Sequence, residues 1–160
     1  MVLDGLVSGQ ADDIVARMRA GAPYKFLGKN PDGATKFAAD GYFVIGGIES
    51  SEMANDPDSG HVFVVVPGGP SSAGITTPWK DSKDKAILSR GGAPYCYNGS
   101  SNPKIPTDVR TQVDIIFSRA DERSVVYGAV ADPRRAGSDK VTASSGSVLS
   151  HVLALLNGLI

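Results

Sequence analysis

Gly41-Tyr42-Phe43-Val44-Ile45-Gly46-Gly47 and, after a polar interval, Gly60-His61-Val62-Phe63-Val64-Val65-Val66-Pro67-Gly68 decide the fold. Both runs are dense in β-branched and aromatic residues, whose stiff side chains suit a pleated surface, and both end in residues that break pairing. Apolar runs without alternation are what a strand covered on both faces requires. Tyr42 to Ile48 and His61 to Val66 are therefore expected as central strands.

Working outward, Asp12 or Asp13 is expected to cap a short helix with Ile14, Val15 and Met18 on its apolar side, ended by Gly21 and Pro23. Met1 to Val7 looks like the tail of an earlier helix, stopped by Ser8-Gly9. Asn30-Pro31-Asp32-Gly33 has turn chemistry, Pro fixing one dihedral and Gly accepting positive φ, with a helical turn from Ala34 to Asp40 behind it. Residues 70–92 are polar and punctuated, with Trp79, Ile87 and Leu88 as anchors. Tyr95-Cys96-Tyr97 gives a third strand and Val113 to Ser118 a fourth. Ala120 to Val130 supports two readings, since Asp121 and Glu122 suit a helix start whereas Val125, Val126 and Tyr127 prefer a strand. Ser147 caps a last helix whose apolar side carries Val148, Leu149, Val152, Leu153, Leu155 and Leu156. The expected class is α+β: one domain over residues 1–160, a small, mostly antiparallel sheet with helices at both ends.

The chain has 160 residues, 41% of them hydrophobic, with 16 Lys and Arg against 17 Asp and Glu and a net charge of −1. Phosphate recognition needs basic residues gathered on one face, so a nucleic-acid partner is not expected. An apolar stretch such as Val62 to Val66 is far too short to cross a bilayer, and the N-terminus lacks the pattern of a cleaved signal. One cysteine excludes an internal disulfide, and one Cys with two His cannot complete a four-ligand zinc site. No metal or other cofactor is expected. Gly68-Gly69-Pro70-Ser71-Ser72 follows a strand but lacks the lysine of a phosphate-binding loop, and Asn98-Gly99-Ser100 matches the glycosylation pattern only as many unrelated chains do.

Cys96, His61 and His151 make up the whole thiol and imidazole inventory. His61 heads the best strand, after the loop Asp56-Pro57-Asp58-Ser59-Gly60, where a rigid support presents a side chain at the sheet's edge. It reads either as a hydrogen-bonded edge histidine or as a base. Cys96 lies in the next strand and could approach His61 across the sheet, but it heads no helix whose dipole would favour a thiolate, so a buried packing role suits it better. Asn98, Asp56 and Asp58 are candidates for the group that orients an imidazole, though each is also an ordinary turn residue. His151 sits among leucines without an evident catalytic part.

Taken together, the Gly41–Gly47 strand, Gly60-His61-Val62 and Tyr95-Cys96-Tyr97-Asn98-Gly99-Ser100 resemble the second part of the bacterial peptidoglycan amidases of the NlpC/P60-like, papain-related superfamily, most closely the type VI secretion amidase effectors. The resemblance spans residues 11–130. It implies a papain-like core and a cysteine hydrolase in which His61 is the general base. The strand of Tyr95 to Asn98 would supply the group that positions the imidazole, with Cys96 in a supporting part. The family's nucleophilic cysteine, at a helix N-terminus, has no counterpart here. The helix that carries it is expected before Met1, with Met1 to Val7 as its last turns, so the sequence begins about 20 or more residues too late for a complete enzyme. The missing segment would come from a longer polypeptide or from another chain.

The resemblance further implies peptidoglycan stem peptides as substrate, a cognate immunity protein, and synthesis in the bacterial cytoplasm with machine-driven export to a target periplasm. Two other readings stand beside it. A non-enzymatic module would bind peptidoglycan or a partner protein through the same groove, with Tyr95, Tyr97 and Trp79 as aromatic contacts. Alternatively Cys96 would itself attack, with His61 as base, in the reversed order of permuted papain relatives.

Overall fold

The computed structural model describes residues 7–54, 58–70, 76–80, 85–98 and 110–131, with the side chains of 76–80 and of residue 86 left aside. The helix expected at 147–158, His151 and Asp56 lie outside these residues.

Helix α1, Ala11–Ala20, starts before Asp12 and Asp13, so neither is its cap. Gln10 is the N-cap, and its N–H donates to Asp13 Oδ2 at 3.1 Å. Asp12 is thereby released for a distant contact. Strand β1, Lys25–Gly28, follows. At Asn30-Pro31-Asp32-Gly33 the turn expectation is corrected: Asn30 Oδ1 accepts from the Gly33 N–H at 2.9 Å and Pro31 opens helix α2, Pro31–Ala39. Proline suits the first helical position, where its missing N–H would have had no partner anyway. The helix closes with Gly41 at φ +87, while Gly41 and Tyr42 donate back to Ala38 and Phe37.

The two deciding runs form β2, Phe43–Ile48, and β3, His61–Val65. A separate two-stranded sheet joins β4, Thr76–Lys80, to β5, Ala86–Leu88. Leu88 is exposed and so does not anchor this segment. Then come β6, Tyr95–Asn98, and β7, Thr111–Gln112.

Where a fourth strand was expected over Val113 to Ser118, the chain instead makes a helical turn, α3, Val113–Ile116. Its β-branched residues alone favour a strand, but contacts remote in sequence override them. The Val113 N–H donates to Pro94 O at 3.1 Å, and the turn buries Asp114 beneath Ser89 and Arg90. The ambiguous stretch divides into both of its readings: α4, Arg119–Glu122, capped by Ser118, and β8, Val126–Val130, buried along its whole length.

The main sheet has the order β1-β8-β2-β3-β6-β7, and its pairs are antiparallel. The chain is therefore α+β with an antiparallel sheet covered on both faces. Strand alternation divides the core. Val44, Phe63, Val65, Cys96, Tyr127 and Ala129 face α2, α3 and Phe117, whereas Ile45, Val126 and Val130 face α1 with its Ile14, Val15 and Met18. Phe63 is fully buried because its partner in register is Gly46: a Cβ there would stand 2.2 Å from Phe63 Cζ. Burying one such ring stabilises the fold by about 1.5–3 kcal/mol. No helix of the described residues is long and apolar enough to cross a membrane.

Candidate functional site

His61 opens β3 opposite Ile48, on the sheet face that carries Phe63 and Val65. The neighbouring strand brings Asn98 to the same face, opposite Phe63. His61 Nε2 is hydrogen-bonded to Asn98 Oδ1. A carbonyl oxygen only accepts, so Nε2 carries the ring proton and Nδ1 is left with its lone pair. Asn98 is fully buried, and its Nδ2 has no hydrogen-bond partner among the described residues. On another side Phe117 meets the imidazole edge to face, with ring centroids 5.4 Å apart and planes at 83°.

Burial pushes the His61 imidazole below its ordinary value, and the bond to Asn98 pulls partly the other way. The ring is therefore held neutral near pH 7, which a proton acceptor must be.

Cys96 is not brought to this ring. Its partner across β3–β6 is Val65, four residues beyond His61, or about 13 Å along the strand. The thiol is buried completely, and burial first, then the nearby Asp114 carboxylate, push it far above the ordinary thiol value. Such a group is neither a ready nucleophile nor a proton donor to the imidazole.

The aromatic candidates also fall elsewhere. Alternation turns Tyr95 and Tyr97 to the sheet face opposite Cys96 and Asn98, so they do not share a wall with His61. Tyr95 lies beneath the Arg110 guanidinium, 3.9 Å from the ring centroid. Trp79 belongs to β4 in the small second sheet, and its side chain is outside the described set. Asp58 is exposed in the loop before β3. Among the described residues no group of three or more His, Cys, Asp and Glu could hold a metal ion.

Three contributors escape a reading of the sequence. Phe117 was expected within a strand. Asp12 resembled a simple cap, yet its Oδ1 accepts from the Ser50 N–H at 2.7 Å and its Oδ2 from Ser50 Oγ at 2.6 Å. Buried Asp121 accepts from the Ala54 N–H at 2.6 Å. The one available signal was a carboxylate in excess of capping needs, Asp12 beside Asp13. No protein-family model matches the chain, and no curated protein matches it.

Proposed function

We propose that these residues form part of a papain-like cysteine amidase that hydrolyses peptide bonds of peptidoglycan stem peptides. The observation that carries the reading is the His61–Asn98 pair: a neutral imidazole, held in one tautomer by a buried amide, with its lone pair on Nδ1. An imidazole needs an orienting partner to work as a general base, and a side-chain amide suffices for this.

In the proposed reaction a thiol loses its proton to His61 Nδ1, and the thiolate attacks the amide carbonyl. His61 then returns the proton to the leaving amine, and water releases the acyl group by the same route. The burial of Cys96 supports a nucleophile from outside these 160 residues, on an upstream segment or a complementing chain. A cognate immunity protein would act by covering His61.

The test is release of amide-cleavage products from purified muropeptides by the polypeptide that includes the upstream segment, beside the 160-residue chain alone. Turnover by the longer polypeptide, lost with its upstream cysteine and with His61→Ala, is the expected result. Turnover by the short chain that disappears in Cys96→Ala would overturn the assignment of the nucleophile, and no turnover by either would overturn the amidase reading.

A further inference from the structure

The loop from Glu49 to Gly60 leaves β2 at Ile48 and delivers His61, which pairs back onto that same Ile48. Its outgoing limb makes one 3-10 turn over Ser50–Glu52, and Met53 packs against the core. The neck of the loop is held by one side chain from a different element. The Asp12 carboxylate, in the first turn of α1, takes both bonds from Ser50 on the outgoing limb. It also lies directly against Gly60 on the returning limb: a Cβ at Gly60 would stand 2.1 Å from Asp12 Oδ1 and 3.2 Å from Ala11 Cβ.

The same loop is gripped further out. Arg19, at the other end of α1, pairs with Glu49 at 2.8 Å and Glu52 at 2.6 Å. From the opposite face of the sheet, Asp121 takes the Ala54 N–H. Asp121 is in turn held by Ser118, at 2.6 Å, next in sequence to the Phe117 that abuts the imidazole. The Arg19 pairs are partly exposed and so worth little singly. The Asp12 contacts are charge-assisted and part-buried, and they adjoin Gly60, the residue before His61.

We infer that Asp12 is a positioning residue for His61: by joining the two limbs of the Glu49–Gly60 loop at its neck, it fixes the backbone from which the imidazole reaches Asn98. The proposal rests on His61 and Asn98 being the working pair of the hydrolase. Its test reads the imidazole itself, so positioning and hydrolysis can each fail while the other stands.

The experiment uses ¹⁵N-labelled protein, in which His61 and His151 are the two histidines and His151 serves as internal reference. In the parent chain the His61 ring is expected as the pure Nε2–H tautomer with a solvent-protected ring proton. Asp12→Ala should give a tautomer mixture and about tenfold faster exchange of that proton, the mark of a local opening, with His151 unchanged. Asp12→Asn keeps an acceptor for the Ser50 N–H and should restore the parent signals, which a role confined to overall stability would not explain.

Should Asp12→Ala fail to fold, Gly60→Ala decides. It drives a methyl into the place of Asp12 Oδ1 without altering the carboxylate, and should shift the same His61 signals. Unchanged His61 signals in folded Asp12→Ala, unchanged signals in Gly60→Ala, or Asp12→Asn behaving as Asp12→Ala each overturn the proposal.

Discussion

Asn98 Oδ1 accepts from His61 Nε2 along a diagonal of the β3–β6 pair, because Asn98 stands opposite Phe63 and His61 precedes Phe63 by two positions on the same face. Diagonal neighbours on an antiparallel sheet are about 7–8 Å apart, a span that an amide and an imidazole can bridge together. The contact thus depends on strand register and is as rigid as the sheet. A slip of one residue would turn Asn98 to the other face and leave the ring without its acceptor.

In the amidase proposed above, His61→Ala is expected to lower kcat/KM by about 10²–10⁴-fold, the usual worth of a positioned base. Asn98→Ala should cost less, about 10–100-fold, since the imidazole survives but its tautomer is no longer fixed. Steady-state hydrolysis of a defined muropeptide measures both. An Asn98→Ala enzyme as fast as the parent would refute the orienting role.

The pH dependence of stability follows from the burial of His61. Its folded-state value lies below the unfolded 6.5, so between the two the unfolded chain binds more protons. The contribution of His61 is fully present above the unfolded value and is lost as pH falls through the folded one. Urea denaturation across this range should show stability falling toward acid. The slope should be shallower in His61→Gln, and an identical slope would count against a depressed imidazole.

Cys96 should resist a thiol reagent at neutral pH in the native chain and react fully once the chain is unfolded, because both burial and Asp114 oppose the thiolate. Time-resolved labelling with and without denaturant gives the answer. Native-state reaction as fast as a model thiol would return Cys96 to consideration as a nucleophile.

Gly46→Ala is expected to destabilise the fold by at least about 2 kcal/mol, since the new methyl has no room against the Phe63 ring. Phe63→Leu relieves that clash, so the double variant should lose less than the two single losses added. A double-mutant cycle from urea midpoints detects the coupling. Strict additivity would mean that the ring and the glycine are not in contact.

The central strands were legible because local chemistry and burial agree there. Val44, Ile45 and Val62 to Val65 favour a strand by propensity, and Gly and Pro mark the limits. Val113 to Ile116 was not, since the same residue types suit a strand and the decision lies with Pro94, Ser89 and Arg90, which only tertiary structure brings close. Asn30-Pro31 misleads for another reason: Pro before Asp and Gly serves a turn and a helix start equally well. At the site, the place of His61 at a strand head was readable. Choosing Asn98 over Asp56 and Asp58 as its partner required the β3–β6 register. The division of Tyr95 and Tyr97 from Asn98 follows from alternation alone, once Tyr95–Asn98 is accepted as a strand.

Among the described residues strand β8 is the last element of the main sheet in chain order, yet it sits between β1 and β2. During synthesis those two strands precede it, and each keeps an unpaired edge until Val126–Val130 fills the gap. Until Val126–Val130 is made, a nascent chain is therefore open to strand addition by other chains at those edges. A stop codon anywhere before Val126 would leave that gap permanent and the product prone to aggregate.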